Sequence, residues 1–204
     1  MEAAVTVLAS LDRAIFLLVN RTLQNPLFDL LMPALSDKWL GLALAAVVAP
    51  WLLVRYRLRA WPVLLAATLA IALSDLGAGL MKHAVQRARP CHVVAEVHLL
   101  AGCTRSFAMP SNHAINMFAL AGVVTGLLPG WRWPVLLLAT GVAYSRIYLG
   151  VHYPSDVAVG AGLGMAAGWG LALVAKRVLP AAWIGVEAST RAPDGLGTER
   201  PGDS

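Results

Sequence analysis

Three short polar strings interrupt an otherwise apolar chain, and their residue types are those that handle phosphate. The first is Lys82, six residues, then Arg89-Pro90. The second is Pro110-Ser111-Asn112-His113. The third is Ser145-Arg146, five residues, His152, three residues, Asp156. Each begins or ends a hydrophobic run, where cations and imidazoles are costly to hold and therefore mark function. Lys82, Arg89 and Arg146 supply positive charge, and arginine grips phosphoryl oxygens in pairs. Taken singly, each cation suits equally a side chain snorkelling to lipid headgroups. Three of them beside histidine-bearing strings favour a phosphate site.

The second string reads as a helix start. Ser111 or Asn112 can cap it, and the free N–H groups of a helix N-terminus hold an anion. His113 then sits where it can pass a proton to a leaving oxygen. His152 and Asp156, four residues apart, share one face of a helical turn. Asp156 can fix one ring nitrogen and leave the other free to attack, with histidine as nucleophile. The structural alternatives are an ordinary capped helix and a His–Asp pair that only braces a turn. No metal or cofactor is expected: the cations around His113, His152 and Asp156 would repel a divalent ion while doing its work on phosphate charge.

Two further charges stand out. Asp75 lies inside an apolar run, seven residues before Lys82. It needs a partner there, either Ser74, a neighbouring helix or Lys82 itself. Arg87 reads as a solvated loop cation, with a fourth phosphate contact as the alternative.

The elements that must position these residues are membrane helices. Of 204 residues, 58% are hydrophobic and 13% charged, where a soluble domain carries about 25% charged. The net charge of +5 is dispersed, with no basic stripe interleaved with aromatics, which argues against nucleic acid as a partner. The reading is an all-α, polytopic membrane helix bundle. Five spans are expected, at 38–54, 61–82, 112–129, 134–150 and 157–179, close to the length a bilayer requires. Residues 1–36 are expected to form amphipathic helices lying in the interface, with a sixth span at 3–19 as the alternative. The first residues lack the basic start of a cleavable signal. Residues 37–180 would be the transmembrane catalytic domain, and the Gly-, Pro- and charge-rich stretch 181–204 a disordered cytoplasmic tail.

Basic residues set the orientation. Arg55, Arg57, Arg59, Arg132, Lys176 and Arg177 all fall on one face by alternation, which should be cytoplasmic. The loop 83–111 and the turn 150–156 then face outward. All five histidines and both cysteines lie on that outer side. Cys91 and Cys103 can pair there in an oxidising compartment or stand as two free thiols; the spacing fits both.

Together the strings resemble the type 2 phosphatidic acid phosphatase family. The first and third match its pattern fully. In the second, Asn112 stands where the family usually has glycine. The resemblance implies a metal-independent phosphatase with a phosphohistidine intermediate. By motif position His152 is the nucleophile, Asp156 its orienting partner and His113 the acid–base. Lys82, Arg89 and Arg146 bind the phosphoryl oxygens, assisted by Ser111 and the turn at Asn112. The implied partners are the bilayer and a lipid phosphate, with no obligate protein partner. Undecaprenyl diphosphate is the first choice, ahead of phosphatidylglycerol phosphate, phosphatidic acid and lipid A phosphates. The implied setting is the bacterial inner membrane with the site facing the periplasm. A phosphotransferase using the same site, or a lipid-binding protein with a degenerate one, are the rival readings.

Overall fold

The structure, a computed structural model, describes residues 2–180. Among these, regular structure is entirely helical. The expected tail 181–204 lies outside the described residues. Local chemistry sets the helix starts. Helix α1 (Glu2–Leu17) runs into a π-helical turn, Leu18–Thr22. Asn25 then caps α2 (Pro26–Leu35), accepting from the Phe28 N–H at 2.9 Å, with Pro26 at the first position. That placement suits proline, whose missing N–H is not needed there. Asp37 caps α3 (Lys38–Tyr56) through the Leu40 N–H at 2.8 Å. Helix α4 (Trp61–Val85) ends on Gln86 in the left-handed region, φ 49°. A one-turn α5 (Pro90–Val93) opens the outer loop, and α6 (Asn112–Leu127), α7 (Arg132–Tyr148) and α8 (Pro154–Val178) follow.

Each expected span coincides with one of α3, α4, α6, α7 and α8 to within a few residues. By length and composition, α3, the helix opening at Trp61, and α8 can cross a membrane. Helices α6 and α7 are shorter, at 16 and 17 residues, or about 25 Å at 1.5 Å per residue. Large apolar side chains face outward along the bundle, among them Val47, Val54, Leu65, Leu80, Leu137 and Val178. In water such a surface would be untenable; in lipid it is the solvated face. The chain is a multi-pass, all-α membrane protein.

The centre of the bundle is a parallel seam between α6 and α8. Gly160, Gly164, Gly168 and Ala172 recur every fourth residue of α8, and all are buried. They form one face. A Cβ at Gly160 would stand 2.9 Å from the Ser111 carbonyl oxygen. At Gly164 it would overlap the carbonyl of Ile115, and at Gly168 that of Ala119. Helix α6 answers with Gly122, where a Cβ would come 2.7 Å from the Met165 carbonyl. The two backbones therefore touch, as small residues permit in membranes where no hydrophobic force drives helices together. The contacts advance in the same direction along both helices, so their N-termini lie side by side. The Ser111 N–H donates to the Asp156 carbonyl at 3.1 Å across that junction.

The N-terminal elements clamp the outer loop. Asn20, fully buried, donates to the Tyr148 carbonyl at 2.7 Å and to the His98 carbonyl at 2.9 Å. The His98 N–H returns a bond to Asn20 Oδ1 at 3.0 Å. Asp29 on α2 accepts from the Tyr148 hydroxyl at 2.6 Å and lies 2.9 Å from His98 Nε2. Cys91 and Cys103 form a disulfide with Cα atoms 6.2 Å apart, so the paired alternative holds and closes the same loop.

The seam makes a steric prediction. Gly164→Val drives a branched side chain into the Ile115 carbonyl, with no flexible neighbour to yield. It should cost at least the 1–3 kcal/mol or so of an overpacked core. Gly170→Ala, whose Cβ meets nothing within 4 Å, should be neutral. Thermal unfolding of both variants in detergent checks the pair.

Candidate active site

The end of α4, the outer loop, the start of α6, the end of α7 and the start of α8 meet at one end of the seam. Arg89 is the hub. Its side chain is buried, and it donates to the Ser106 carbonyl at 2.8 Å, Ser106 Oγ at 2.9 Å and the Val151 carbonyl at 3.2 Å. Its Nη1 also lies 3.1 Å from His152 Nε2. Arginine can only donate, so Nε2 is the unprotonated nitrogen and the ring proton sits on Nδ1. Lys82 donates to the Phe107 carbonyl at 3.0 Å, the same oxygen that accepts from Arg89 Nη2 at 3.4 Å. Arg146 is buried at the end of α7 within electrostatic reach of Lys82 and Arg89. His113, one residue into α6, feels both Arg146 and Arg89. The structure thus brings Lys82, Arg89, Arg146, His113, His152 and Asp156 to one place.

The site carries open hydrogen-bonding capacity. Ser111 Oγ, Arg146 Nε and His152 Nδ1 are buried with no partner among the described residues. Buried polar groups are ordinarily satisfied, and unpartnered donors among three cations suit an anion. Ser111 occupies the N-cap position of α6, but its hydroxyl makes no cap bond, so the expected capping role gives way to an open hydroxyl. Gly150, at φ 80°, makes the turn that delivers His152, and any side chain there would strike Val97.

Burial pushes the His152 imidazole down to about 4; Asp156 pulls upward, while Arg89 and Arg146 add to the lowering. The free ring is therefore neutral near pH 7. Asp156 is engaged differently from the simple pair expected. Its Oδ2 accepts from the Tyr153 N–H at 2.8 Å, closing the cap of α8, and stands 3.6 Å from His152 Nδ1. That is longer than a hydrogen bond, yet it faces the protonated nitrogen. Oδ1 accepts from Arg87 at 2.7 Å.

Arg87 corrects the sequence reading: it is not a solvated loop cation but a partner of two carboxylates. Its guanidinium bridges Asp156 and Asp12, the latter at 2.5 Å, and lies 4.2 Å over the Tyr153 ring. Asp12, in the body of α1, is buried, and accepts from the Ser155 N–H at 2.8 Å and hydroxyl at 2.6 Å. The sequence signal was present, since a carboxylate in an apolar run needs a cation, but nothing in the spacing named Arg87. Asn112 turns its amide to Asp75 at 2.9 Å, and Asn116, one turn on, does the same at 3.0 Å. Asp75 thus has its neighbouring-helix partners. Ser145 shares a 2.5 Å bond with Ser36 at the end of α2.

The arrangement has the parts of a phosphoryl-transfer site: a neutral imidazole, a second histidine, three cations and open donors. Comparison with known proteins agrees. Residues 59–179 match the PAP2 superfamily, and the chain belongs to that family of phosphatases. It is 40% identical over 130 residues to a decaprenylphosphoryl-5-phosphoribose phosphatase of Mycobacterium tuberculosis, covering 64% of this chain and 67% of the relative. It is 30% identical over 184 residues to a lipid A 4'-phosphatase of Bacteroides thetaiotaomicron, covering 84% and 80%. Its fold resembles the crystal structure of a transmembrane PAP2-type phosphatidylglycerolphosphate phosphatase from Bacillus subtilis, with a TM-score of 0.69, 22% identity, and coverage of 85% and 88%.

Two outcomes follow for the site. Arg87→Ala strands two buried carboxylates and should cost about 3–5 kcal/mol, the scale for breaking one side of a buried pair. Adding Asp12→Asn should recover part of that loss, as thermal unfolding of the single and double variants will show. The acid limb of kcat/KM, which reports the free enzyme, should fall near pH 4, where His152 gains its proton, and not near the ordinary histidine value of about 6.5.

Proposed function

We propose that the enzyme hydrolyses a lipid phosphate or diphosphate at the outer face of a bacterial inner membrane, through a phosphohistidine. His152 Nε2 attacks phosphorus while the bond to the leaving oxygen breaks, and His113 gives that oxygen a proton. Water then attacks phosphorus, His113 takes its proton, the N–P bond breaks, and inorganic phosphate departs. Lys82, Arg89 and Arg146 balance the charge that builds on the phosphoryl oxygens, with Ser111 as a further donor and the N-terminus of α6 beneath. Asp156 holds the ring proton of His152 at Nδ1, so that Nε2 faces the substrate. Five spans and the distribution of basic residues support the orientation.

The observation that carries this reading is the 3.1 Å contact between Arg89 Nη1 and His152 Nε2. It sets the attacking nitrogen against a group that binds phosphoryl oxygens, with the lone pair inward. Lipid substrates fit a site at the end of helices whose flanks are apolar. Relatives acting on prenyl-linked and lipid A phosphates support the substrate class. Undecaprenyl diphosphate, the choice from sequence, belongs in the first panel beside phosphatidylglycerol phosphate, phosphatidic acid and lipid A.

Phosphate release by purified full-length protein in detergent, with chelator present, tests the proposal. His152→Ala should abolish release, while Arg55→Ala, exposed at the other end of the bundle, should leave it nearly intact. Lys82→Ala or Arg146→Ala should lower kcat by about 10²–10³, the scale for removing one oxyanion donor. Wild-type turnover by the His152→Ala protein would refute the nucleophile. A phosphorylated acceptor in place of free phosphate would make the enzyme a transferase.

A further inference from the structure

Beside the catalytic residues lies a polar cluster that the hydrolysis does not use. Asp75 is an exposed carboxylate in the body of α4. The amides of Asn112 and Asn116 both donate to its Oδ1, at 2.9 and 3.0 Å, and no described residue bonds Oδ2. Asn116 Oδ1 is itself buried without a partner. Two acceptors are thus left open where α4 meets α6, the buried Asn116 Oδ1 and the exposed Asp75 Oδ2, in a bundle where unmet polar groups are costly.

The cluster's position gives it a role. Asp75 lies seven residues before Lys82, so the two share a face of α4 about 10 Å apart along the axis. Asn112 precedes His113, and Asn116 follows it by three, on the same face of α6. Asp75 lies within electrostatic reach of both Lys82 and His113. In the hydrolysis, His113 protonates the leaving oxygen, so the leaving alcohol departs on the His113 side. An alcohol leaving along the α4–α6 face toward lipid would pass the exposed Asp75 and its two asparagines. Open acceptors there suit a hydroxyl donor. A carboxylate there opposes a second phosphate, whose charge has the same sign.

We infer that Asp75, Asn112 and Asn116 form a subsite for a hydroxyl on the leaving alcohol, so that the substrate is a phosphomonoester of a hydroxylated amphiphile, built on glycerol or a sugar, and not a bare prenyl diphosphate. This rests on the phosphatase reading above. It moves hydroxylated lipids ahead of undecaprenyl diphosphate. It also gives a purpose to the asparagine that stands where the family usually has glycine.

The test uses a matched pair of probes: 1-O-octadecylglycerol 3-phosphate, with a free hydroxyl at C2, and the corresponding propanediol phosphate, which lacks it. Farnesyl diphosphate is the third probe. Wild-type enzyme should favour the hydroxylated probe by about tenfold in kcat/KM, on the scale of one hydrogen bond to a charged group. Asp75→Asn should erase that preference by lowering kcat/KM on the hydroxylated probe more than on the deoxy probe, and should raise turnover of farnesyl diphosphate relative to both. Asn116→Ala should also reduce the preference. An unchanged melting temperature shows that the variants fold. No preference in wild type, or one that survives Asp75→Asn, overturns the subsite. An equal fall on all probes with a lower melting temperature also overturns it and makes the cluster a brace between helices. Wild-type protein that releases phosphate from none of the probes overturns the phosphatase reading itself, and the subsite with it.

Discussion

The whole site hangs on backbone contact between α6 and α8. Glycine at every fourth residue of α8 lets its main chain lie against the carbonyls of Ser111, Ile115 and Ala119. That contact is possible only when the helices run parallel with their N-termini level. The level termini place His113 and Ser111, at the start of α6, beside His152 and Asp156, at the start of α8. The direct Ser111–Asp156 main-chain bond fixes the height of one against the other. Side chains of ordinary size along this seam would push the helices apart, and a separation of one or two ångströms is enough to disable catalytic positioning.

Around this seam the protein places charge that water does not screen. Three cations approach one another in a mostly buried pocket, a costly arrangement unless an anion completes it. The same burial keeps the His152 imidazole neutral. The carboxylates are arranged with more care than a simple His–Asp pair. Asp156 serves the helix cap, Arg87 and the imidazole at once, and Asp12 of α1 shares Arg87 with it. The N-terminal helix is therefore part of the support for the catalytic turn. Its Asp12 reaches across 143 residues of sequence to Ser155.

Much of this was legible in the sequence. The three strings name the residues that the fold gathers at one end of the bundle, because each residue type at each spacing has a chemical reason to sit at a phosphate site. Helix positions followed from hydrophobic runs and from Pro and Gly stops. What was not legible depends on packing in space. Glycines 160, 164 and 168 form a small-residue repeat at four-residue spacing, which marks a helix-packing face in an apolar run, but only the fold names α6 as the helix it packs on. Arg87 was misread because a charge in a loop has no partner in one dimension. Asp75 announced the need for a partner, Asp12 stood out for no chemistry, and only the fold could say which residues meet each. Cys91 and Cys103 likewise became a disulfide only once the loop brought their Cα atoms to 6.2 Å.

The central claim is that His152 becomes covalently phosphorylated, and it can be observed directly. A ³²P-labelled lipid phosphate should be mixed with full-length wild-type enzyme and the reaction quenched in base during the first turnover, with His152→Ala protein as the control. Acid-labile label on the peptide containing His152, and none on the His152→Ala protein, is the predicted result. Label absent from that peptide while substrate is still consumed, or label residing on another residue, would contradict the account.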